Sequence, residues 1–232
     1  MFLLFAGGLA ALAASVCSAS DGPPRVGLQA GHWRAGELPD ELAAFRPSTG
    51  ASAGGVNEVD VNLDIARRVA ARLRQRGVLV DVLPATVPPG YEADAFISLH
   101  ADGSPDSRVR GYKAATPYRE SPESRRLLEA LVASYGSATR LPWDPNITRN
   151  MRGYYAFANR SREHAIDSST PAVILEMGFI SNPGDRALLT KRPELVARAI
   201  ADGVLRYLRA EGPLAEPAAA GPRGSSGRGR RG

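Results

Sequence analysis

The sequence predicts an α/β fold, a mainly parallel or mixed open sheet flanked by helices, in a single domain over about residues 25–209. Two patterns carry that expectation. Short apolar runs with the length of buried strands recur along the chain, and stretches of helical period separate them. Length adds a bound, because 232 residues leave room for one ordinary domain with short extensions.

The elements follow in order. Residues 26–30 form an apolar run closed by Gly31, which reads as a buried strand. Residues 33–56 are rich in Gly, Pro, Ser and Ala and read as a long loop, a kind of segment that often carries function. Helical period then begins: Val59, Leu63, Ala66, Ala70 and Leu73 share one face, with Asn57 as the expected N-cap and Gly77 as the stop. Residues 78–83 and 95–99 read as a second and third strand, and 111–116 as a fourth. Residues 121–135 are helical, with Ser121 as cap and Pro122 at the first position. Residues 138–162 show no period. Residues 172–176 read as a further strand ended by Gly178, and residues 184–189 and 194–210 as helices.

Composition limits the partners. The formal net charge is +5, yet the last twenty residues hold Arg223, Arg228, Arg230 and Arg231 against Glu216 alone. The folded part is therefore closer to neutral, and no basic face for nucleic acid is implied. The segment 212–232 cannot bury enough surface to order itself and reads as a disordered basic tail. Such a tail suits contact with an anionic polymer or a membrane, or with nothing.

Residues 1–20 read as a signal peptide. The apolar run 2–16 is too short to span a bilayer, and Ser18, Ala19 and Ser20 supply small residues after it, although no Lys or Arg stands near Met1. The expected location is extracytoplasmic, secreted or in the cell envelope. Cys17, the single cysteine, offers a lipid-attachment alternative that the bulky Val16 disfavours. Cleavage after Ala19 or Ser20 would leave a mature chain without cysteine, so any metal site must use His and carboxylates.

Two of the three histidines, His32 and His100, follow predicted strands, and Glu176 ends another. Ligands of open parallel sheets bind outside the carboxyl ends of the strands, so these residues should converge on one edge. Two imidazoles and a carboxylate make a good zinc site, and catalytic zinc takes three protein ligands plus water. Glu58, opening the helix after the long loop, fits as the third ligand; Glu37, Asp40 and Glu41 in that loop are rivals. Taken singly, each residue has a bland reading as a structural His, a first-turn acid or an Arg partner. His164 reads as a surface or loop residue, and Asn146, Asn150, Tyr154 and Tyr155 as candidates to line a groove.

Four segments together resemble the zinc-dependent N-acetylmuramoyl-L-alanine amidases of the type 3 family: residues 26–32 (VGLQAGH), 58–66 (EVDVNLDIA), 95–102 (AFISLHAD) and 171–183 (PAVILEMGFISNP). The resemblance runs in order over residues 26–208. It implies zinc held by His32, Glu58 and His100, with Glu176 as the catalytic acid–base that moves a proton from water to the leaving nitrogen. The implied substrate is peptidoglycan, and the bond is the amide between the lactyl group of N-acetylmuramic acid and L-alanine. An arginine could assist, and Arg149, Arg152 and Arg160 are equal candidates. Two departures stand out: Trp33 follows His32, where it should reshape a wall of the pocket, and Ala101-Asp102 replaces the family's commoner Ala-Asn. A zinc carboxypeptidase and a non-enzymatic wall-binding module are the competing functions.

Overall fold

A computed structural model describes residues 22–212. The expected signal peptide, Cys17 and nearly all of the basic tail lie outside the described residues. Five strands form one sheet, β1 (Arg25–Ala30), β4 (Leu79–Leu83), β5 (Ala95–Asp102), β6 (Lys113–Ala115) and β7 (Ala172–Phe179), in the order β4-β1-β5-β7-β6. The first four are mutually parallel, and β6 runs antiparallel against β7 at the edge. The fold is therefore the expected mixed α/β sheet.

Side chains alternate across a strand, and here the alternation sorts chemistry. Val26, Leu28, Ile97, Leu99, Val173 and Leu175 join one apolar core with α1 (Glu58–Arg74), α2 (Pro122–Thr139) and α5 (Pro193–Glu211). The three helices pack on one another, α2 against α5 and α1 against α5. The intervening strand positions, Gln29, Phe96, Ser98, His100, Ala172, Ile174 and Glu176, belong to the other side. That side carries a smaller apolar cluster of Leu83, Val87, Tyr91, Phe96, Ala156 and Ile166, supplied largely by loops. Long helices thus cover one face and irregular chain the other. Among the described residues, no helix is long and apolar enough to cross a membrane.

Several boundaries differ from the sequence reading. The segment 33–56 holds two 3₁₀ turns, Ala35–Glu37 and Asp40–Phe45, and a hairpin of β2 (Ser52–Ala53) with β3 (Val56–Asn57). Gly54 and Gly55 both have positive φ, 58° and 73°, as a two-residue hairpin turn with right-handed twist requires. Asn57 stands at the N-cap of α1, but its amide bonds the Asp60 side chain and not the helix backbone. Ser121 does cap α2, accepting from Ser124 N–H. The period-less stretch contains α3 (Arg149–Arg152) and a 3₁₀ turn at Tyr155–Phe157. Strand β7 continues through Gly178 to Phe179, whose N–H donates to Asp185 on α4 (Pro183–Lys191).

Candidate metal centre

The cluster forms where β1, α1 and β5 meet. Strand β1 ends at Ala30, and His32 follows with a left-handed backbone, φ 64°. A non-glycine residue rarely adopts that conformation, and where one does the surrounding structure must hold it. It is held here on its side chain: His32 Nδ1 lies 3.0 Å from the Ser48 carbonyl and 3.2 Å from Ser48 Oγ. A proton on Nδ1 donated to that carbonyl leaves the Nε2 lone pair facing Glu58.

Glu58 is delivered by the hairpin. Its N–H donates to the Ala51 carbonyl, and its Oε2 accepts from Ala51 N–H. Oε1 accepts from Asn62 Nδ2 at 3.1 Å, one helical turn along α1, and from Ala101 N–H at 3.1 Å. The carboxylate is thereby fixed from the loop, from its own helix and from β5. His100 comes from β5, with Nδ1 3.0 Å from Glu58 Oε1 and Nε2 3.3 Å from Tyr154 Oη. Gly31 makes the approach possible, since a Cβ there would overlap the His100 ring.

His32, Glu58 and His100 each turn a ligand-type atom into one cluster, all within 4.8 Å of one another. Glu58 Oε1 stands 3.4 Å from His32 Nε2 and 3.0 Å from His100 Nδ1. Tetrahedral ligands about 2.0–2.2 Å from zinc stand roughly 3.3–3.6 Å apart, so the spacing and the two-imidazole, one-carboxylate donor set both fit a divalent metal. Burial pushes the Glu58 carboxyl upward, but its hydrogen bonds to His100 and His32 outweigh this and hold it far below the usual range. Burial disfavours the charged form of His32, and the bond to Glu58 with the Ser48 carbonyl reverses that, raising it. Glu58 is thus an ionised carboxylate set between the two imidazoles.

Glu176 lies beside them. His100 and Glu176 are register partners in the parallel pair β5–β7, each inside its strand, whereas the apolar runs place His100 just after one strand and Glu176 at the end of another. Both line a cleft of about 330 Å³ with His32, Leu38, Phe45, Tyr154 and Tyr155. Glu176 Oε2 is buried with no hydrogen-bond partner. Burial, then the charges of Glu58 and Asp102, push the Glu176 carboxyl well up, and Lys113 opposes them. Lys113 is the register partner of Glu176 on β6. Its Nζ is buried, 2.6 Å from Asp102 and 3.2 Å from Asp144. The departure at Asp102 on β5 is thereby matched by a cation two strands further out, on the edge strand β6.

The rival acids are engaged elsewhere. Glu37 faces Arg34, Asp40 pairs with Arg46, and Glu41 accepts from the N–H groups of Glu163 and His164 and faces His164 Nδ1. His164 is accordingly a loop partner of Glu41, remote in role from the cluster. Trp33 packs against the helix-side core and does not line the cleft, contrary to the expectation for it. The candidate arginines Arg149, Arg152 and Arg160 do not line it either; Arg152 and Arg160 line the neighbouring cavity. Tyr154, Tyr155 and Asn150 do line the cleft, whereas Asn146 is turned to Asp144. The supports Ser48, Ala51 and Asn62 carry no motif of their own; Asn62 alone was visible, as part of the 58–66 segment.

The chain is similar to known proteins over most of its length. The chain is 29% identical over 177 residues to the N-acetylmuramoyl-L-alanine amidase LytC of Bacillus subtilis, covering 69% of this chain and 33% of LytC, so it spans about a third of that relative. It is 26% identical over 197 residues to the germination-specific N-acetylmuramoyl-L-alanine amidase of the same organism, covering 72% of this chain and 77% of the relative. In fold it resembles the crystal structure of an N-acetylmuramoyl-L-alanine amidase from Clostridium difficile 630, with a TM-score of 0.60 at 18% identity, over 82% of this chain and 100% of that one. The profile of the N-acetylmuramoyl-L-alanine amidase family matches residues 26–206, most of the chain, and the protein therefore belongs to that family.

Proposed function

We propose that this chain hydrolyses the amide between the lactyl group of N-acetylmuramic acid and the L-alanine of the peptidoglycan stem peptide, using zinc held by His32, Glu58 and His100. The observation that carries the reading is the union of that three-residue cluster with Glu176 in one cleft. Zinc bound there supplies Lewis acidity toward the carbonyl and makes water reactive near neutral pH.

The chain's own residues do the rest. Ser48 and Tyr154 orient the two imidazoles, and Ala51, Asn62 and Ala101 orient Glu58. Glu176 Oε2, unpartnered and facing opposed charges, is suited to take the proton of the attacking water and return it to the leaving nitrogen. The new C–O bond forms as the C–N bond breaks, leaving a lactyl carboxyl group and the free amine of L-alanine. Leu38, Phe45 and Tyr155 give the cleft an apolar wall that restricts water around the reacting amide.

The substrate lies outside the cytoplasmic membrane, so the reading includes export, with residues 1–20 removed and the 212–232 tail left free to meet anionic wall polymers. Sequencing the mature N-terminus tests the export step. Digestion of purified peptidoglycan, followed by mass spectrometry with and without a chelator, tests the chemistry. Release of intact stem peptides with free L-alanine amines, abolished by the chelator and restored by zinc, is the expected result. Shortened stem peptides still attached to the glycan would mean a carboxypeptidase instead, and unaltered peptidoglycan would mean a binding module.

A further inference from the structure

A second cavity of about 310 Å³ adjoins the metal cleft and shares Gly153 and Tyr154 with it. We propose that this cavity is a subsite for the carboxylates of an acidic peptide, gripped by Arg119, Arg152 and Arg160; the inference rests on the amidase reading for what sits in the neighbouring cleft.

Its lining contains three arginines and no acidic residue. Among the described residues, none of the three guanidinium groups takes part in an ion pair, unlike Arg25, Arg46, Arg68, Arg72 and Arg126, which do. The nearby acids are already hydrogen-bonded, although the charge of Arg152 also helps to lower Glu120. Glu120 accepts from Thr116 and Arg125, and Asp167 accepts from the N–H and hydroxyl of Ser169. Arg152 lies over the Tyr118 ring, 5.1 Å from its centroid, so the guanidinium plane is held while its N–H edge stays available. Concave walls carrying one sign of charge favour an anion, and the planar fork of Arg matches a carboxylate with two parallel hydrogen bonds.

Position selects a peptide over a free phosphate polymer. Tyr154 spans both spaces, with its hydroxyl 3.3 Å from His100 Nε2. An extended peptide anchored at the metal cluster covers about 7–10 Å in two or three residues, enough to enter the second cavity. Acidic residues just beyond the bond to be cut would therefore meet the arginines.

The test compares two peptides of one sequence, L-alanyl-γ-D-glutamyl tripeptides with free carboxylates and with carboxamides in their place. Their binding to the full chain is measured by calorimetry. The free acid is expected to bind about tenfold tighter, the scale of one charge-assisted hydrogen bond. In Arg119→Gln/Arg160→Gln that ratio should fall to within about twofold, in Arg119→Lys it should fall only partly, and in Arg67→Gln, on the exposed side of α1, it should persist. Both cavity positions are exposed, and a thermal melt on each variant checks that the fold is kept. Equal binding of acid and amide by the unaltered chain overturns the proposal, as does a ratio that survives the double substitution. Tighter binding of glycerol phosphate than of the acidic peptide would reassign the cavity to a phosphate polymer and overturn it too. The same ratio read as kcat/KM on muropeptides separates the two readings: absent turnover with the binding ratio intact removes the amidase assignment and leaves the subsite standing.

Discussion

The two faces of the sheet solve different problems with the same strands. On the helix face, Leu28, Ile97, Leu99 and Leu175 are wholly buried, and what matters there is volume and shape. On the loop face the next residues along, Gln29, Ser98, His100 and Glu176, are polar and have to find partners. Ser98 donates to Gln29, and Gln29 donates to the Ala85 carbonyl, which also accepts from Tyr155. Among the described strand residues, Glu176 Oε2 is the side-chain atom buried without a partner. A buried carboxyl oxygen left unmatched is costly, which fits the proton-carrying role proposed for Glu176.

The largest expected effect is on the loop face. His32→Ala or Glu58→Ala should lose bound metal and muropeptide release together, metal content being read by elemental analysis of the purified variant. A His32→Ala variant with full metal content and turnover would detach the cluster from the activity. Glu176→Gln should then separate binding from proton transfer. It keeps shape and removes the base, so turnover should drop about 10²–10⁴-fold with metal content unchanged. Loss of metal from this variant would make Glu176 a ligand and cancel the division of roles.

Leu175 adjoins Glu176 in sequence but faces the helices. Leu175→Ala should cost about 2–5 kcal/mol of stability through lost burial and the cavity left behind. In urea titration the midpoint should fall, while turnover per folded molecule stays near that of the parent. If Leu175→Ala instead removed activity from a stable protein, the two faces would not be separable by residue parity.

The helix face was the more legible one. Its apolar positions recur at the periods of strand and helix, so much of the core of β1, β5, β7 and α1 could be read from residues such as Val26, Leu28, Ala66 and Leu73. Val59 and Leu63, however, are only half-buried, and Val61, Ile65 and Val69 take the core positions on α1 instead. The ends of the strands were not legible, because polar side chains turned toward a cleft break the apolar run while the strands continue, with a register shift between His100 and Asp102. Hence β5 runs on through His100 to Asp102, and β7 through Glu176 to Phe179. The residues of the candidate centre were visible through their motifs, but the groups that orient them were hidden. The Ser48 carbonyl and the Ala51 and Ala101 N–H groups act through backbone, which any side chain would provide. The walls came from segments of short 3₁₀ turns and the single-turn helix α3, residues 34–46 and 148–157, which are too short to show a helical period.

Lys113 gives the finest test of the loop face, because a buried cation there is tolerated only with its partners. Desolvation works against its charge, but Asp102 and then Asp144 raise it above its ordinary value. Burial would raise Asp144, yet the Asn146 N–H, Lys113 and the Asn146 side chain together hold it below the usual range. A carboxyl depressed on folding adds stability that is present above its unfolded value, about 3.9, and is lost as pH falls through the lower folded value. A cation raised on folding adds stability that persists below its unfolded value, about 10.4, and is lost as pH rises through the higher folded one. Asp144→Asn leaves Asp102 beside Lys113, so the loss at pH 7 should be modest, about 1 kcal/mol, well under the cost of stripping a buried charge of every partner. The gap between parent and variant should then narrow as pH falls below about 4, where Asp144 of the unfolded chain takes up a proton, and close as pH falls through the lower folded value. Urea midpoints measured at several pH values decide it. A gap that stayed constant into acid would mean that Asp144 contributes through shape alone, and that Asp102 by itself holds the charge of Lys113 beside Glu176.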